Sequence, residues 1–315
     1  MSNIIEIKSL DLPELDPILR FTGRQLANKL QPDEGLFVVE SPIAIDAALS
    51  AGCEPTALLV EERFVRGRTQ VRAESRAAEI VDRVGNAPIY VASRDILAGI
   101  TGFELTRGAM CVMRRPEERD WRKVIGGARR IAVLENIVDS TNIGAIFRSA
   151  AGLGIDAVLL TPECCDPLCR RAVRVSMGTV LMVPFARIGC AGDRLGRGGD
   201  GTGDRVDGES RASAGDRLAS VSGWPVPAIG ELKRCGFITA AMALCDNSLP
   251  VNAPALRAAE KLAIFLGTEG NGLLQETIDN CDYTVRIPMA RNVDSLNVGA
   301  AAAIAFFELV PKGQT

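Results

Sequence analysis

The chain has 315 residues, 47% of them hydrophobic, and 36 Lys and Arg against 39 Asp and Glu leave a formal net charge of −3. That apolar content is ample for about two cores, and no uninterrupted apolar run of ~18 residues exists, so no membrane span is expected. The slight acidity argues against a broadly basic, nonspecific nucleic-acid binder, and the absence of histidine excludes Ser-His-Asp and Cys-His catalysis.

In chain order, residues 1–113 read as a first small α/β domain. Leu36–Val39, Ala57–Val60 and Pro88–Val91 are strand-like, and Ile43–Ala51 reads as a helix. An arginine cluster at Arg63, Arg66, Arg68, Arg72 and Arg76 reads as a solvated face. Residues 114–129 are polar and charged and contain Pro116, as a linker would. A second domain, 130–315, then alternates strands and helices: 131–134, 143–153, 156–160, 172–178, 180–184, 229–234, 238–242, 262–266, 273–280, 283–287 and 295–309. That pattern predicts a parallel sheet with helices on both faces, Rossmann-like by pattern alone.

Within it, Asp139 to Asn142 supply turn and cap residues. Ile143, Ile146, Phe147 and Ala150 mark one helix face; Arg148 lies off that face, and by spacing alone it is a surface arginine. Arg170, Arg171 and Arg174 form a basic cluster suited to phosphate. Residues 190–223 repeat Gly-Asp-Arg at 192, 203 and 215 with little apolar content, and read as a disordered insertion. Its mixed charge favours a passive linker over an RNA-contacting arm.

Leu262–Leu266 is a buried-strand run ending in a loop with Gly267, Gly270 and Gly272 around Glu269. Its spacing is neither the dinucleotide fingerprint nor a P-loop. The last segment, from Ile287, passes through a polar loop with Ser295 and Asn297 into a small-residue helix. Asp294 or Ser295 is expected to cap that helix, with Leu296, Ala300, Ile304 and Phe307 as its apolar face.

Three of these segments resemble the SpoU/TrmH-like branch of the SPOUT-class RNA ribose 2′-O-methyltransferases. They are Asn142-x-Gly-x-x-x-Arg148, Leu266-Gly-Thr-Glu-Gly-Asn-Gly-Leu273, and Ile287-Pro-Met followed by Ser295-Leu-Asn-Val298, in the family's order. Arg174-Val-Ser-Met-Gly178 and Val183-Pro-Phe resemble a further family segment. The match runs from about residue 129 to the C-terminus apart from the insertion. Gly35-Leu-Phe-Val-Val-Glu40-Ser-Pro resembles, more weakly, the family's preceding substrate-binding domain, with Ser41 where Gly is common. Arg291 likewise stands where family members often have Gly.

The resemblance implies a C-terminal parallel-sheet SPOUT domain with a trefoil knot, preceded by a small α/β RNA-binding-type domain. It also implies S-adenosylmethionine as cofactor, a homodimer, and RNA (rRNA or tRNA) as substrate. By motif, Gly267, Ile287 and Leu296 would contact S-adenosylmethionine. Arg148 would activate the ribose 2′-hydroxyl. Because an arginine guanidinium stays protonated, stabilising the developing alkoxide is the more natural role. Asn142, Ser295 and Asn297 would position ribose, phosphate and Arg148, and Glu269 would brace the glycine loop. A catalytically silent RNA-binding protein with the same fold is the alternative, and a nicotinamide oxidoreductase a remote one.

Nine scattered cysteines suggest reduced thiols, and the N-terminus lacks a signal-peptide pattern, so a cytoplasmic location is expected. Cys164, Cys165 and Cys169 lack the spacing and partners of a metal site, and no metal is expected.

Overall fold

The computed structural model describes residues 4–28, 31, 34–66, 79–98, 108–189, 223–290 and 295–311. All but Gly223 of the insertion expected at 190–223, together with Arg68, Arg72, Arg76, Arg291 and Asp294, lies outside the described residues.

The first sheet has five strands: β1 Ile4–Glu6, β2 Leu36–Glu40, β3 Pro55–Glu61, β4 Ile89–Ala92 and β5 Ala109–Arg114, in the order β1-β4-β3-β5-β2. β4 runs parallel to β1 and β3, and β5 runs antiparallel to β3 and β2. The central strand β3 is a continuous apolar run, Leu58-Leu59-Val60, buried on both faces. Leu15, Ile18, Val38, Leu59, Tyr90 and Val112 pack into one core cluster on this sheet. Helix α1, Pro42–Ser50, starts from Ser41, whose hydroxyl accepts the Ala44 N–H at 3.4 Å. Ser41 has φ +84, a costly conformation for a residue with a Cβ, which explains why glycine suits this position.

The second sheet has seven strands, all parallel: β6 Arg130–Leu134, β7 Ala157–Leu160, β8 Phe185–Arg187, β9 Ile238–Met242, β10 Leu249–Pro250, β11 Leu262–Leu266 and β12 Tyr283–Arg286. Their order is β10-β12-β9-β11-β6-β7-β8. The paired central strands β6 and β11 are buried along their whole length. Such near-continuous burial is what parallel sheets impose. Arg130 opens β6 only 3% exposed, with its guanidinium donating to carbonyls of Leu309 (2.9 Å), Glu260 (2.9 Å) and Ala259 (2.7 Å). The other principal helices are α2 Ser140–Leu153, α3 Arg170–Ser176, α4 Val226–Arg234, α5 Gln275–Asn280 and α6 Val298–Leu309.

By compactness the chain divides into two units. One comprises residues 1–118, 139–152 and 165–183, and so includes the first sheet, α2 and α3. The other comprises 119–138, 153–164 and 184–315, with the parallel sheet. Of the stretch expected as a linker, residues 115–120 carry no regular structure. Trp121–Val124 is a short helix, and Trp121 is buried in the core of the second unit with Ile131, Val133, Leu159 and Phe265.

Three expectations are corrected. No strand forms over 180–184: Thr179–Leu181 is a 3₁₀ turn, and β8 begins at Phe185, after Pro184, whose carbonyl accepts the Val158 N–H at 2.9 Å. α6 begins at Val298 rather than 295 because Asn297 is its cap. The face expected to be buried on α6 is the outer one. Leu296 and Phe307 are 38% and 51% exposed, while Val298, Ala302, Ala305, Phe306 and Leu309 face the core. Apart from Glu308 the helix carries only apolar and glycine residues, so periodicity alone does not orient it. The two-residue β10 and a short helix at Pro254–Ala258 were not anticipated.

Candidate active site

In a parallel sheet all carboxyl ends lie along one edge, where ligands of open α/β sheets bind. β11 ends at Leu266 and β12 at Arg286, so Gly267 and Ile287 both leave the sheet at this edge. Two inter-strand steps separate them, about 10 Å.

Gly267 opens a tight loop. The Gly272 N–H donates to the Thr268 carbonyl at 3.0 Å, and the chain returns directly against its own start. A Cβ on Gly267 would lie 2.2 Å from the Gly272 carbonyl carbon and 2.3 Å from the Leu273 nitrogen. Only glycine allows this backbone-to-backbone approach. Glu269, at the exposed tip, accepts a hydrogen bond from the Asn297 side-chain amide. The Asn297 amide oxygen accepts the N–H groups of Gly299 (3.0 Å) and Ala300 (3.3 Å), capping α6. One side chain thus ties the glycine loop to the start of the C-terminal helix. Ser295 and Leu296 are exposed on the residues just before it, and Ile287 is half-buried. These residues fit the cofactor that the resemblance implies: backbone groups freed at two strand ends, a glycine loop that keeps backbone close, and apolar side chains at Ile287 and Leu296 suited to an adenine face.

Asn142 and Arg148 lie on α2, in the other compact unit. Asp139 caps this helix, its carboxylate accepting N–H groups from Asn142 (3.1 Å) and Thr141 (2.6 Å). These bonds hold its carboxyl below the usual range. Asn142 is 7% exposed, whereas Arg148 is open to solvent. Six residues apart, they differ by about 9 Å along the axis and about 120° around it, so α2 alone does not bring them together. The motif's glycine has a packing reason. A Cβ on Gly144 would lie 2.7 Å from Val175 Cβ and 2.8 Å from the Ala172 carbonyl oxygen of α3.

Of the basic cluster on α3, Arg171 and Arg174 are exposed. The guanidinium of Arg170 pairs with Glu40 at the end of β2 and donates to the Ile18 carbonyl at 2.9 Å. Arg174 stands 3.8 Å from the same carboxylate. The sulfurs of Cys165 and Cys169 are 3.7 Å apart, and Cys164 is buried, donating to the Leu134 carbonyl at 3.2 Å. Among the described residues, no group of three or more His, Cys, Asp or Glu gathers to hold a metal ion, and no helix is long and apolar enough to cross a membrane.

The sequence reading missed Glu135, the residue after β6, which is fully buried and accepts from Trp224, Thr277 and Leu274. Burial pushes its carboxyl above the usual range against the pull of those three donors. No sequence pattern distinguishes it from a surface glutamate after a strand.

A family model for SpoU rRNA methylases matches residues 129–194 and 211–307. An uncharacterised tRNA/rRNA methyltransferase of Mycobacterium bovis is 35% identical over 306 residues, 96% of this chain and 90% of that protein. A TrmH-family tRNA/rRNA methyltransferase assigned in Staphylococcus haemolyticus is 27% identical over 59% of this chain and 60% of its own length. Among solved structures, an AdoMet-bound rRNA methyltransferase from Sinorhizobium meliloti superposes with a TM-score of 0.69 at 20% identity, over 98% of each chain. The AdoMet complex of the SpoU methyltransferase AviRb from Streptomyces viridochromogenes gives 0.65 at 20% identity, over 94% of this chain and 96% of that one. At such identity these two likenesses speak to the fold.

Proposed function

The chain belongs to the SpoU rRNA methylase family, and from that premise we propose that it methylates a ribose 2′-hydroxyl of ribosomal or transfer RNA, using S-adenosylmethionine. The observation that carries the reading is the link from glycine loop to C-terminal helix through Glu269 and Asn297, at the edge of a parallel sheet where such ligands bind.

S-adenosylmethionine supplies an already activated methyl, so its S–CH₃ bond breaks as the O–CH₃ bond forms and no metal is required. The protein's part is placement and charge. Gly267, Ile287 and Leu296 hold the cofactor, largely through backbone groups. Glu269 fixes Asn297, and Asn297 with Ser295 and Asn142 orients the ribose and phosphate. The Arg148 guanidinium, open to solvent, stabilises the negative charge that develops as the hydroxyl proton passes to solvent water. Arg171 and Arg174 contact phosphate, with Arg170 bracing α3 against β2. The first α/β domain, residues 1–113, grips the RNA, joined by 114–129 to a methyltransferase domain, 130–315, that carries the knot. Two copies pair, a reading supported by the exposed apolar side chains of Phe307 on α6 and of Leu296 just before it, and the protein works in the cytoplasm.

The test incubates the purified protein with labelled S-adenosylmethionine and separated ribosomal and transfer RNA from a strain lacking its gene, followed by mass spectrometry of nucleosides. A 2′-O-methyl nucleoside in one pool is expected. Cofactor binding without product from either pool would turn the reading toward a silent RNA-binding protein.

A further inference from the structure

We propose that Glu135 is a positioning residue for the cofactor loop, its buried carboxylate holding the returning end of the 267–273 segment against the sheet. This rests on the reading that S-adenosylmethionine binds at that loop.

Strand pairing places Leu134 opposite Leu266, and the Glu135 N–H continues the ladder to the Leu266 carbonyl at 2.9 Å. Glu135 is therefore level with Gly267, where the loop begins. Its side chain reaches the loop's other end. Oε2 accepts the Leu274 N–H at 3.0 Å, and Oε1 accepts the Thr277 hydroxyl at 2.7 Å and the Trp224 indole N–H at 2.7 Å. Because Gly267 already abuts Gly272 and Leu273, fixing Leu274 fixes both ends of the loop. Thr277 extends the same hold to α5.

The chemistry at this point calls for an acceptor. An indole N–H and a backbone N–H only donate. A carboxylate has enough lone pairs for all three bonds, and a glutamine would turn a donor toward donors. Among the described residues no salt bridge joins Glu135 to a Lys or Arg, and three hydrogen bonds hold its carboxyl group. Burying a carboxyl group is costly where packing is the only need. A strand-end position filled this way, beside the loop with the family's glycine motif, points to geometry rather than bulk stability.

The experiment compares full-length wild type with Glu135→Gln, Thr277→Val and Thr277→Ser. It measures S-adenosylmethionine affinity by calorimetry and backbone hydrogen exchange of the 268–274 segment without cofactor. Glu135→Gln is expected to weaken binding roughly 10-fold or more and to speed exchange in 268–274, with strands β7 and β9 unchanged. Thr277→Val should weaken binding in the same direction, and Thr277→Ser, which keeps the hydroxyl, should bind as wild type. Should Glu135→Gln fail to fold, the Thr277 pair decides. Wild-type exchange in 268–274 of Glu135→Gln overturns the proposal, and so does equal weakening by Thr277→Val and Thr277→Ser, which would mark a packing role. Failure of the wild type to bind S-adenosylmethionine overturns the cofactor reading instead, while the exchange comparison still judges Glu135.

Discussion

At the scale of single residues, Arg148 and Cys169 lead to separate measurements. Arg148 is exposed on α2, and the proposed mechanism assigns its charge to the transition state. Arg148→Ala is expected to lose ~10²-fold or more in turnover, as for removal of an oxyanion partner, with cofactor affinity unchanged; near-normal turnover in a single-turnover assay would remove it from the mechanism. Cys169 has a depressed pKa of about 7, caused first by the Cys165 thiol donating to its thiolate. A lowered pKa means the thiolate persists down to neutral pH. The rate of Cys169 alkylation by iodoacetamide should therefore rise through a midpoint near pH about 7, and Cys165→Ser should retain that midpoint only if the serine hydroxyl replaces the thiol's hydrogen bond. Peptide mapping across pH reads both. The glycine-loop residues and Asn297 were legible as a motif. Glu135 was not, because its character comes entirely from Trp224, Leu274 and Thr277, 89 to 142 positions away along the chain.

At the scale of elements, two effects compete at Gly144. Replacing a helix-interior glycine by alanine ordinarily stabilises by about 1 kcal/mol. Here the new methyl would meet Val175 Cβ at 2.7 Å and a backbone carbonyl oxygen at 2.8 Å, and overpacking of this kind costs about 1–3 kcal/mol. The clash should win because a backbone atom cannot rotate away. Gly144→Ala is expected to lower the denaturation midpoint, and a raised midpoint would show that α2 and α3 separate freely. The long buried strands of the second sheet were readable from apolar runs bounded by turns. α6 shows the limit: with Val298, Ala302, Phe306 and Phe307 all apolar, no stripe exists to say which side faces the core. Its start is set by Asn297, whose side chain caps Gly299 and Ala300 and donates to Glu269, rather than by Ser295.

At the scale of the whole molecule, the described residues that flank 190–222 lie close together. Gly189 abuts the Trp224 side chain, and Ile188 and Trp224 share one buried cluster. A segment whose stems already meet can be shortened without moving the sheet. Replacing residues 190–222 by a short Gly-Ser link should leave the melting temperature unchanged or raised, since the saved loop entropy is about 1–2 kcal/mol. A cooperative loss of structure would show that the segment carries part of the core. The first sheet ends at Arg114 and the second begins at Arg130, whereas compactness groups α2 and α3 with the first sheet. Sequence order did not reveal that grouping, because it depends on packing such as that of α3 on β2.

The pairing of β6 with β11 also sets a clock. The two central strands are neighbours in space, yet 127 residues separate Leu134 from Leu262. At about 5–20 residues per second, a ribosome finishes β6 roughly 10 s before its partner begins to emerge. For that interval one flank of a strand buried along its whole length in the finished sheet has no neighbour. The nascent chain must keep it covered, by transient packing or by a chaperone, until the glycine-loop half of the protein has been made.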